Sequence, residues 1–311
     1  MYHSLVFSLI FVFGAWAQEN PFLFVETNED IGTRAITCMI NDSNGQLWIG
    51  TYGGGLKRYN GIGVETFKHD VNVASALSSS EIHDLYIDPK DALWIATSNG
   101  LNLYNQKTGT FSQLNPSGLK LSVHSLAQLD EVRIIVGTHQ KGMYVFNTVN
   151  KEFQKVTLED VIEENGLQVN DIVVDKLKRI WVGSNYGLMQ LDFTSLKLKA
   201  VENRALQNEQ LLSSEIISLE ADKFGSIWAG TEQNGILKIL PTTATNFMLK
   251  HYPITEKRIF SVKEYKDGLI LCGSENDGLF VLSSDGDILK QYLKEIGLSL
   301  IHISEPTRPI H

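Results

Sequence analysis

The stretch DSNGQLWIGTYGGGLKRY, residues 42–59, decides the fold because its central phrase returns along the chain. The phrase consists of apolar residues around a central large residue, then a small residue, then Thr or Ser. The central residue is a Trp in four copies, and Ile135 and Leu271 replace it in the other two. The six copies are Leu47–Thr51, Leu93–Thr97, Ile134–Thr138, Ile180–Ser184, Ile227–Thr231 and Ile270–Ser274. They recur every 41 to 47 residues, which indicates a repeat protein in which each copy is one supersecondary unit.

Each repeat has the pattern of four short strands separated by turns. In the second repeat an alternating stretch, residues 82–88, precedes the phrase, and two further stretches follow it at 100–104 and 110–114. Runs of four to six residues are too short for helices, and polar turns with Gly or Asp separate them. The sequence therefore predicts an all-β protein, a β-propeller of four-stranded blades with six blades present.

The large and the small residue of the phrase have a structural interpretation. A four-stranded sheet cannot bury both faces alone, so neighbouring blades must cover them. We expect the large aromatic residue to fill the layer between blades, at Trp48, Trp94, Trp181 and Trp228. We expect the small residue to mark close packing of the backbone, at Gly50, Gly137, Gly183, Gly230 and Gly273, with Ala96 as the one replacement.

The N-terminus is typical of a secretory signal peptide. An apolar run over residues 5–13 is followed by Ala15-Trp16-Ala17, a small-x-small cleavage site. The run is too short to span a bilayer. We therefore expect residues 1–17 to be removed, residues 18–297 to form the propeller, and the protein to be exported.

The C-terminus differs from everything before it. Residues 298–308 match the in-frame translation of a transposase adapter used to prepare sequencing libraries. We expect residues 298–311 to be foreign and the native sequence to continue past Gly297.

Two flanking strands leave the number of blades open. Residues 22–25 resemble a lone outer strand of the kind that closes a propeller ring, and residues 288–292 resemble the outer strand of the sixth blade. We expect an incomplete seven-bladed ring. A six-bladed ring closed by residues 22–25 is the alternative.

Composition excludes several classes of protein. The formal net charge of −9 argues against nucleic-acid binding, which needs basic patches. Cys38 and Cys272 are too few for a disulfide scaffold, and we expect both to be buried free thiols. If six blades closed the ring, the two cysteines would lie on neighbouring repeats and a disulfide would be conceivable.

The stretch 42–59 resembles the two-component regulator propeller repeat, and the resemblance covers residues 22–292. It implies the periplasmic sensor region of a Bacteroidetes-type hybrid two-component histidine kinase. Such a protein faces outward from the inner membrane, which it crosses by a helix downstream of the propeller, and we expect the full-length sensor to be a homodimer. Many members of the family sense oligosaccharides and pass the signal to kinase and DNA-binding domains.

No catalytic constellation is visible in the sequence. It has no Gly-x-Ser-x-Gly elbow, no phosphate-binding Gly loop and no His/Cys cluster with metal spacing, so we predict no catalytic residues, metal or cofactor for this region. The alternatives are a streptogramin-lyase-like propeller enzyme and a secreted interaction module. A lyase would need a His and acidic residues on one face, and His124 and His139 are the candidates.

Loops that enter the first strand and leave the second strand of a blade lie on the same face of a propeller. Tyr, Arg, Asn and Glu side chains there favour a sugar-binding surface, because rings stack on aromatic residues and hydroxyls pair with amides and charges. Besides the two histidines, the candidates at this face are Arg34, Tyr52, Asn99, Asn170, Asn185, Glu232, Arg258 and Glu275. The predicted ligand-binding residues are Arg34, Tyr52, His139, Asn185 and Arg258.

Overall fold

The computed structural model describes residues 35–159, 166–201, 209–242 and 247–294, together with three short strands outside them. Two of those strands, β1 (Ser8–Ile10) and β2 (Leu23–Val25), pair antiparallel with each other. The third, Ile301–Ile303, pairs with the last strand of the sixth repeat. Apart from these strands, the predicted signal peptide and the segment 298–311 lie outside the described residues, as does Arg34.

Each of the six repeats forms one sheet of four antiparallel strands in chain order, which we call blades 1 to 6. The strands of blade 1 are β3 (Ile36–Asn41), β4 (Leu47–Thr51), β5 (Gly55–Tyr59) and β6 (Val64–Phe67). Those of blade 2 are β7 (Ile82–Ile87), β8 (Leu93–Thr97), β9 (Gly100–Asn105) and β10 (Thr110–Leu114). Those of blade 3 are β11 (Val123–Gln128), β12 (Arg133–Thr138), β13 (Met143–Asn147) and β14 (Phe153–Lys155).

Blades 4 and 6 carry one extra short strand each. Strand β15 (Thr157–Leu158) adds in parallel to blade 4, formed by β16 (Val169–Val174), β17 (Ile180–Ser184), β18 (Gly187–Asp192) and β19 (Lys197–Ala200). Blade 5 contains β20 (Ile216–Ala221), β21 (Ile227–Thr231), β22 (Ile236–Pro241) and β23 (Phe247–Tyr252). Blade 6 contains β24 (Ile259–Glu264), β25 (Ile270–Ser274), β26 (Leu279–Leu282) and β27 (Ile288–Lys294), with β28 (Ile301–Ile303) beside β27.

The predicted fold class, an all-β propeller with six four-stranded blades, is confirmed by these sheets. The described residues form no helix other than two short 3₁₀ helices, Glu209–Ser213 and Lys266–Gly268. No helix in the described part of the chain is long and apolar enough to cross a membrane.

The chain divides into two compact units. The first comprises Met1–Thr97 and Asn102–Gln113, and the second comprises Ser98–Leu101 and Leu114–His311. In the first unit β3 packs against β7, and in the second β11, β16, β20 and β24 pack side by side in series. The first strand of each blade is therefore the inner strand, as in a propeller.

Three of the four repeated tryptophans, Trp48, Trp181 and Trp228, lie between blades. Trp48, Trp94, Trp181 and Trp228 are all buried. Trp181 packs with blade 5 residues such as Leu219, and Trp228 packs with blade 6 residues such as Val262. In the first unit Trp48 meets Tyr104 of blade 2 edge to face, with ring centroids 4.9 Å apart. Each of these three rings thus contributes apolar area to the layer between its own blade and the next.

An aspartate six residues before each tryptophan organises the turn between the first two strands. The indole N–H groups of Trp48, Trp94, Trp181 and Trp228 donate to Asp42, Asp88, Asp175 and Asp222 at 2.9 to 3.1 Å. The other oxygen of each carboxylate accepts two backbone N–H groups of the turn, for example those of Phe224 and Ser226 for Asp222. One side chain therefore fixes the turn and satisfies the buried indole.

The glycines two residues after Trp48, Trp181 and Trp228 pack against the first inner-strand residue of the next blade. A Cβ on Gly183 would lie 2.7 Å from Cγ2 of Ile216, and one on Gly230 would lie 2.7 Å from Cγ2 of Ile259. These distances are shorter than van der Waals contact, so the blades can approach only because a side chain is missing.

The two cysteines are free thiols. Cys272 is buried in blade 6, where burial raises the pKa of its thiol to about 12. Cys38, on the inner strand β3, is partly exposed, and burial of its thiol raises the pKa there as well.

Candidate functional site

A β-bulge at the start of the inner strand recurs in all six blades. The pairing between the first two strands skips the second residue of the inner strand in each blade. The skipped residues are Thr37, His83, His124, Asn170, Ile217 and Phe260. A bulge turns its side chain away from the regular alternation, so one residue per blade is directed differently from its neighbours.

In blade 1 and in blades 3 to 6, a backbone hydrogen bond sets two more residues beside the bulge. The N–H after the second strand donates to the carbonyl before the first strand, as in His139 to Ser122 at 2.9 Å and Glu275 to Arg258 at 2.8 Å. We call these three positions of blades 3 to 6 the rim. It consists of Ser122, His124, His139, Gln168, Asn170, Asn185, Glu215, Ile217, Glu232, Arg258, Phe260 and Glu275.

Tyr52 occupies the equivalent place in blade 1. Its N–H donates to the carbonyl of Ala35 at 2.9 Å, and its side chain is 55% exposed. It belongs to the first unit, whereas the predicted residues His139, Asn185 and Arg258 belong to the second.

The two histidines of blade 3 are in contact at the rim. The rings of His124 and His139 stack with centroids 5.1 Å apart and an angle of 18° between planes. Nδ1 of His139 is buried and has no hydrogen-bond partner among the described residues. This stack places a flat polar surface on the rim.

Asn185 holds the rim of blade 4 together. Its side chain accepts the N–H of Gln168 at 2.9 Å and donates to the carbonyl of Gly166 at 2.9 Å. The Gln168 amide in turn donates to Asn170, which donates to the carbonyl of Ile216 in blade 5 at 2.8 Å. The amides thus form a chain across two blades, and the neighbouring Tyr186 is left exposed.

Arg258 is engaged by a carboxylate of the preceding blade. Its Nη2 donates to Oε1 of Glu232 at 2.7 Å, and its Nε donates to the other oxygen, which makes the pair bidentate. This hydrogen bond, with Glu215 and Glu275 nearby, holds the pKa of Arg258 above its usual value. The guanidinium also lies 5.7 Å from the ring centroid of Phe260, which is 53% exposed.

The rim therefore changes in character along the second unit. Blade 3 contributes stacked imidazoles, blade 4 contributes amides, and blades 5 and 6 contribute three glutamates around one arginine. Sequence reasoning missed the rim residues Glu215 and Phe260, and it missed Tyr186, which lies beside the rim residue Asn185. Phe260 could have been found by aligning the repeats, because it follows the first inner-strand residue as His124 and Asn170 do.

The rim presents groups that can form hydrogen bonds with a ligand. Among the described residues, no three His, Cys, Asp or Glu side chains converge as ligands for a metal ion. Exposed rings beside amides and carboxylates can stack on a flat ligand and pair with its hydroxyl groups.

Comparison with known proteins supports the predicted family resemblance. Residues 30–53 and 76–99 match the family model of the two-component regulator propeller, so the predicted recognition of this repeat is confirmed. A histidine kinase, P4, of Formosa agariphila is 25% identical over 186 residues, which cover 54% of this chain and 13% of that protein.

Solved structures show the same fold. The extracellular domain of a hybrid two-component system of B. thetaiotaomicron matches 86% of this chain and 34% of that one, at 21% identity and a TM-score of 0.71. A second such domain matches 89% and 38% at 17% identity and a TM-score of 0.66. A catalytically inactive virginiamycin B lyase of Staphylococcus aureus with quinupristin matches 88% and 89% at 12% identity and a TM-score of 0.69. The chain thus spans about a third of the two sensor domains and a smaller part of the kinase.

Proposed function

We propose that this chain, which carries repeats of the two-component regulator propeller, is the ligand-sensing part of an exported hybrid sensor kinase. It recognises oligosaccharides in the periplasm and passes the signal to kinase and DNA-binding domains of a longer, homodimeric protein held in the inner membrane. The relative named as a histidine kinase and the fold shared with extracellular sensor domains support this proposal.

The observation that carries the proposal is the rim of blades 3 to 6. Exposed Tyr186 and Phe260 flank a chain of amides and carboxylates that is fixed by hydrogen bonds. Sugar rings stack on exposed aromatic faces, and their hydroxyl groups both donate and accept, so they match amides and carboxylates together. Because the polar groups are held in place, little side-chain entropy is lost when a ligand binds.

In this proposal the propeller itself is not an enzyme. Its rim arginine is paired with Glu232, and its rim amides are bonded to one another. Ligand binding would shift the conformation that the propeller presents to the downstream domains, and no bond of the ligand would be cleaved.

A lyase-like propeller enzyme is the second candidate. The likeness to virginiamycin B lyase extends over most of both chains, and in this second candidate one of the stacked His124 and His139 acts as the general base. At 12% identity the likeness shows the fold alone. Turnover of quinupristin that is abolished by His139→Ala would favour the lyase over the sensor.

The test is binding of the purified chain to an array of oligosaccharides released from plant polysaccharides. We expect at least one neutral oligosaccharide to bind, and Phe260→Ala to weaken that binding by about tenfold through loss of stacking. Phe193→Ala is the matched control. Phe193 is also 53% exposed, but it follows the last residue of β18, at the end of blade 4 that is away from the rim. No binding to any sugar, or equal losses in both variants, would contradict the proposal.

A further inference from the structure

The turns at the ends of the inner strands of blades 4 to 6 form a contiguous basic and apolar surface. These turns lie at the opposite end of the inner strands from the rim. We call this surface the turn patch. It consists of Lys176, Leu177, Lys178, Lys223, Phe224 and Lys266, all exposed.

Three contacts show that the turns are neighbours. The ammonium group of Lys176 donates to the backbone carbonyl of Lys223, which joins the turns of blades 4 and 5. The backbone N–H of Lys223 donates to Glu264 of blade 6 at 2.8 Å. Gly268, in the turn of blade 6, lies so close beneath Phe224 that a Cβ there would be 3.1 Å from the Phe224 ring.

The apolar tips are held in outward positions by the buried aspartates of the turn motif. Asp175 accepts the N–H of Leu177 at 2.9 Å, and Asp222 accepts the N–H of Phe224 at 2.9 Å. Leu177 is 71% exposed and Phe224 is 68% exposed. Both side chains therefore project from a backbone that is held in place. They expose apolar surface to water and do not pack in the core, which is typical of an interaction site.

The charge of the turn patch is opposite to that of the chain. It carries four lysines in a protein of formal net charge −9. Two neighbouring cations, Arg179 and Lys263, are paired with Asp175 and Glu220.

Two acidic residues lie beside the patch and leave it net positive. Glu264 is tied to the backbone of Lys223 and has one oxygen buried. Asp267 is exposed at the turn of blade 6.

The geometry points to an anionic lipid bilayer as the partner of the turn patch. Apolar side chains that project between lysines can enter the boundary between headgroups and acyl chains, while the lysine stems lie flat and keep their ammonium groups among the phosphates. A protein partner would need pockets for the two projecting tips, whereas a bilayer accepts them without preformed shape. The contact is independent of any membrane-spanning segment and would orient the rim away from the lipid surface.

The test is co-sedimentation of the purified chain with vesicles of phosphatidylglycerol and phosphatidylcholine, compared with vesicles of phosphatidylcholine alone. We expect sedimentation with the anionic vesicles only, and its loss as salt rises from about 0.05 to 0.5 M, because screening weakens the attraction of surface charges. Each lysine near an anionic surface strengthens binding about fivefold, so Lys176→Gln with Lys178→Gln should weaken it by about 25-fold.

The apolar tips are tested by the double variant Leu177→Ser with Phe224→Ser. We expect it to bind the anionic vesicles at least tenfold more weakly while its melting temperature stays unchanged, since both side chains are exposed. Val149→Ser is the matched control, because Val149 is 70% exposed but lies in an outer turn of blade 3. Three results would overturn the proposal. The chain could fail to bind anionic vesicles, or Val149→Ser could weaken vesicle binding as much as the double variant does. The chain could also bind soluble poly-glutamate equally well with and without the two apolar side chains. The last result would assign the patch to an acidic protein instead.

Discussion

The indole N–H of Trp228 donates to the carboxylate of Asp222 at 2.9 Å, and both side chains are buried. The same carboxylate accepts two backbone N–H groups of its turn, from Phe224 and Ser226. A single side chain therefore joins the turn between two strands to the aromatic layer between two blades. This hydrogen bond recurs in four blades. It explains why an aspartate in the turn and a tryptophan six residues later appear together in the sequence.

Replacing this aspartate should destabilise the protein through unsatisfied donors. Asp222→Ala leaves one indole and two backbone N–H groups without their acceptor, and we expect a loss of about 2–4 kcal/mol in the free energy of unfolding, measured in urea. Asp192→Ala is the matched control. Asp192 also accepts two turn N–H groups but is exposed, so water can replace it and the loss should be smaller. Equal losses would show that the indole contact contributes nothing.

The tryptophan itself should be worth more than its hydrogen bond. Trp94 is 2% exposed, and Trp94→Ala removes a large buried side chain that the surrounding sheets cannot fully replace. We expect a loss of about 3–5 kcal/mol in the free energy of unfolding. Trp94→Phe keeps most of the apolar volume and should lose less. A melting temperature near that of the parent for Trp94→Ala would contradict the buried role.

Adding one methyl group at the repeated glycine should separate two blades. In Gly183→Ala the new Cβ meets Cγ2 of Ile216 at 2.7 Å and its backbone oxygen at 3.3 Å, so the backbone of blade 5 must move. We expect a loss of about 1–3 kcal/mol, measured by thermal unfolding.

The control for this substitution is Gly273→Ala. There the Cβ meets only Oγ of Ser261 at 3.1 Å, which can rotate away. We expect a smaller loss at this position. If Gly273→Ala were as costly as Gly183→Ala, close approach of the next blade would not explain the glycine.

The fold could be predicted from the sequence because the same phrase recurs with a nearly constant period. Pairings within a blade are local, and each copy supports the interpretation of the others. The role of Asp222 was harder to see, since the sequence shows only a polar turn and not which buried donor the carboxylate reaches.

The rim was harder to predict for a physical reason. A bulge such as that at Phe260 leaves no gap in the pattern of apolar residues. The pair of Arg258 with Glu232 joins residues of different blades, so no local spacing reveals it. Asn185 stays a predicted ligand-binding residue, and the hydrogen bonds of its side chain to Gln168 and Gly166 could not be read from the sequence.

A carboxylate on the inner strand of blade 4 should make stability depend on pH. Asp171 accepts the N–H groups of Ile172 and, from blade 5, of Leu219, both at 2.7 Å. Burial outweighs these hydrogen bonds and raises the pKa of Asp171 to about 6, with Glu220 adding to the rise and Lys263 opposing it. In the unfolded chain the pKa is near 3.8, so the folded protein binds more protons between these two values.

The sign of the effect follows from this difference. The contribution of Asp171 to stability is fully present below pH 4 and is lost as the pH rises through 6. Asp171→Asn cannot ionise, so the fall in melting temperature between pH 5 and pH 7 should be smaller in this variant than in the parent protein. The control is Asp192→Asn, because hydrogen bonds from Ser195 and Thr194 lower the pKa of that exposed carboxyl. This variant should leave the slope of the melting temperature between pH 5 and pH 7 unchanged. An unchanged slope in Asp171→Asn would mean that this carboxyl does not titrate near pH 6, and that the inner strands tolerate its charge.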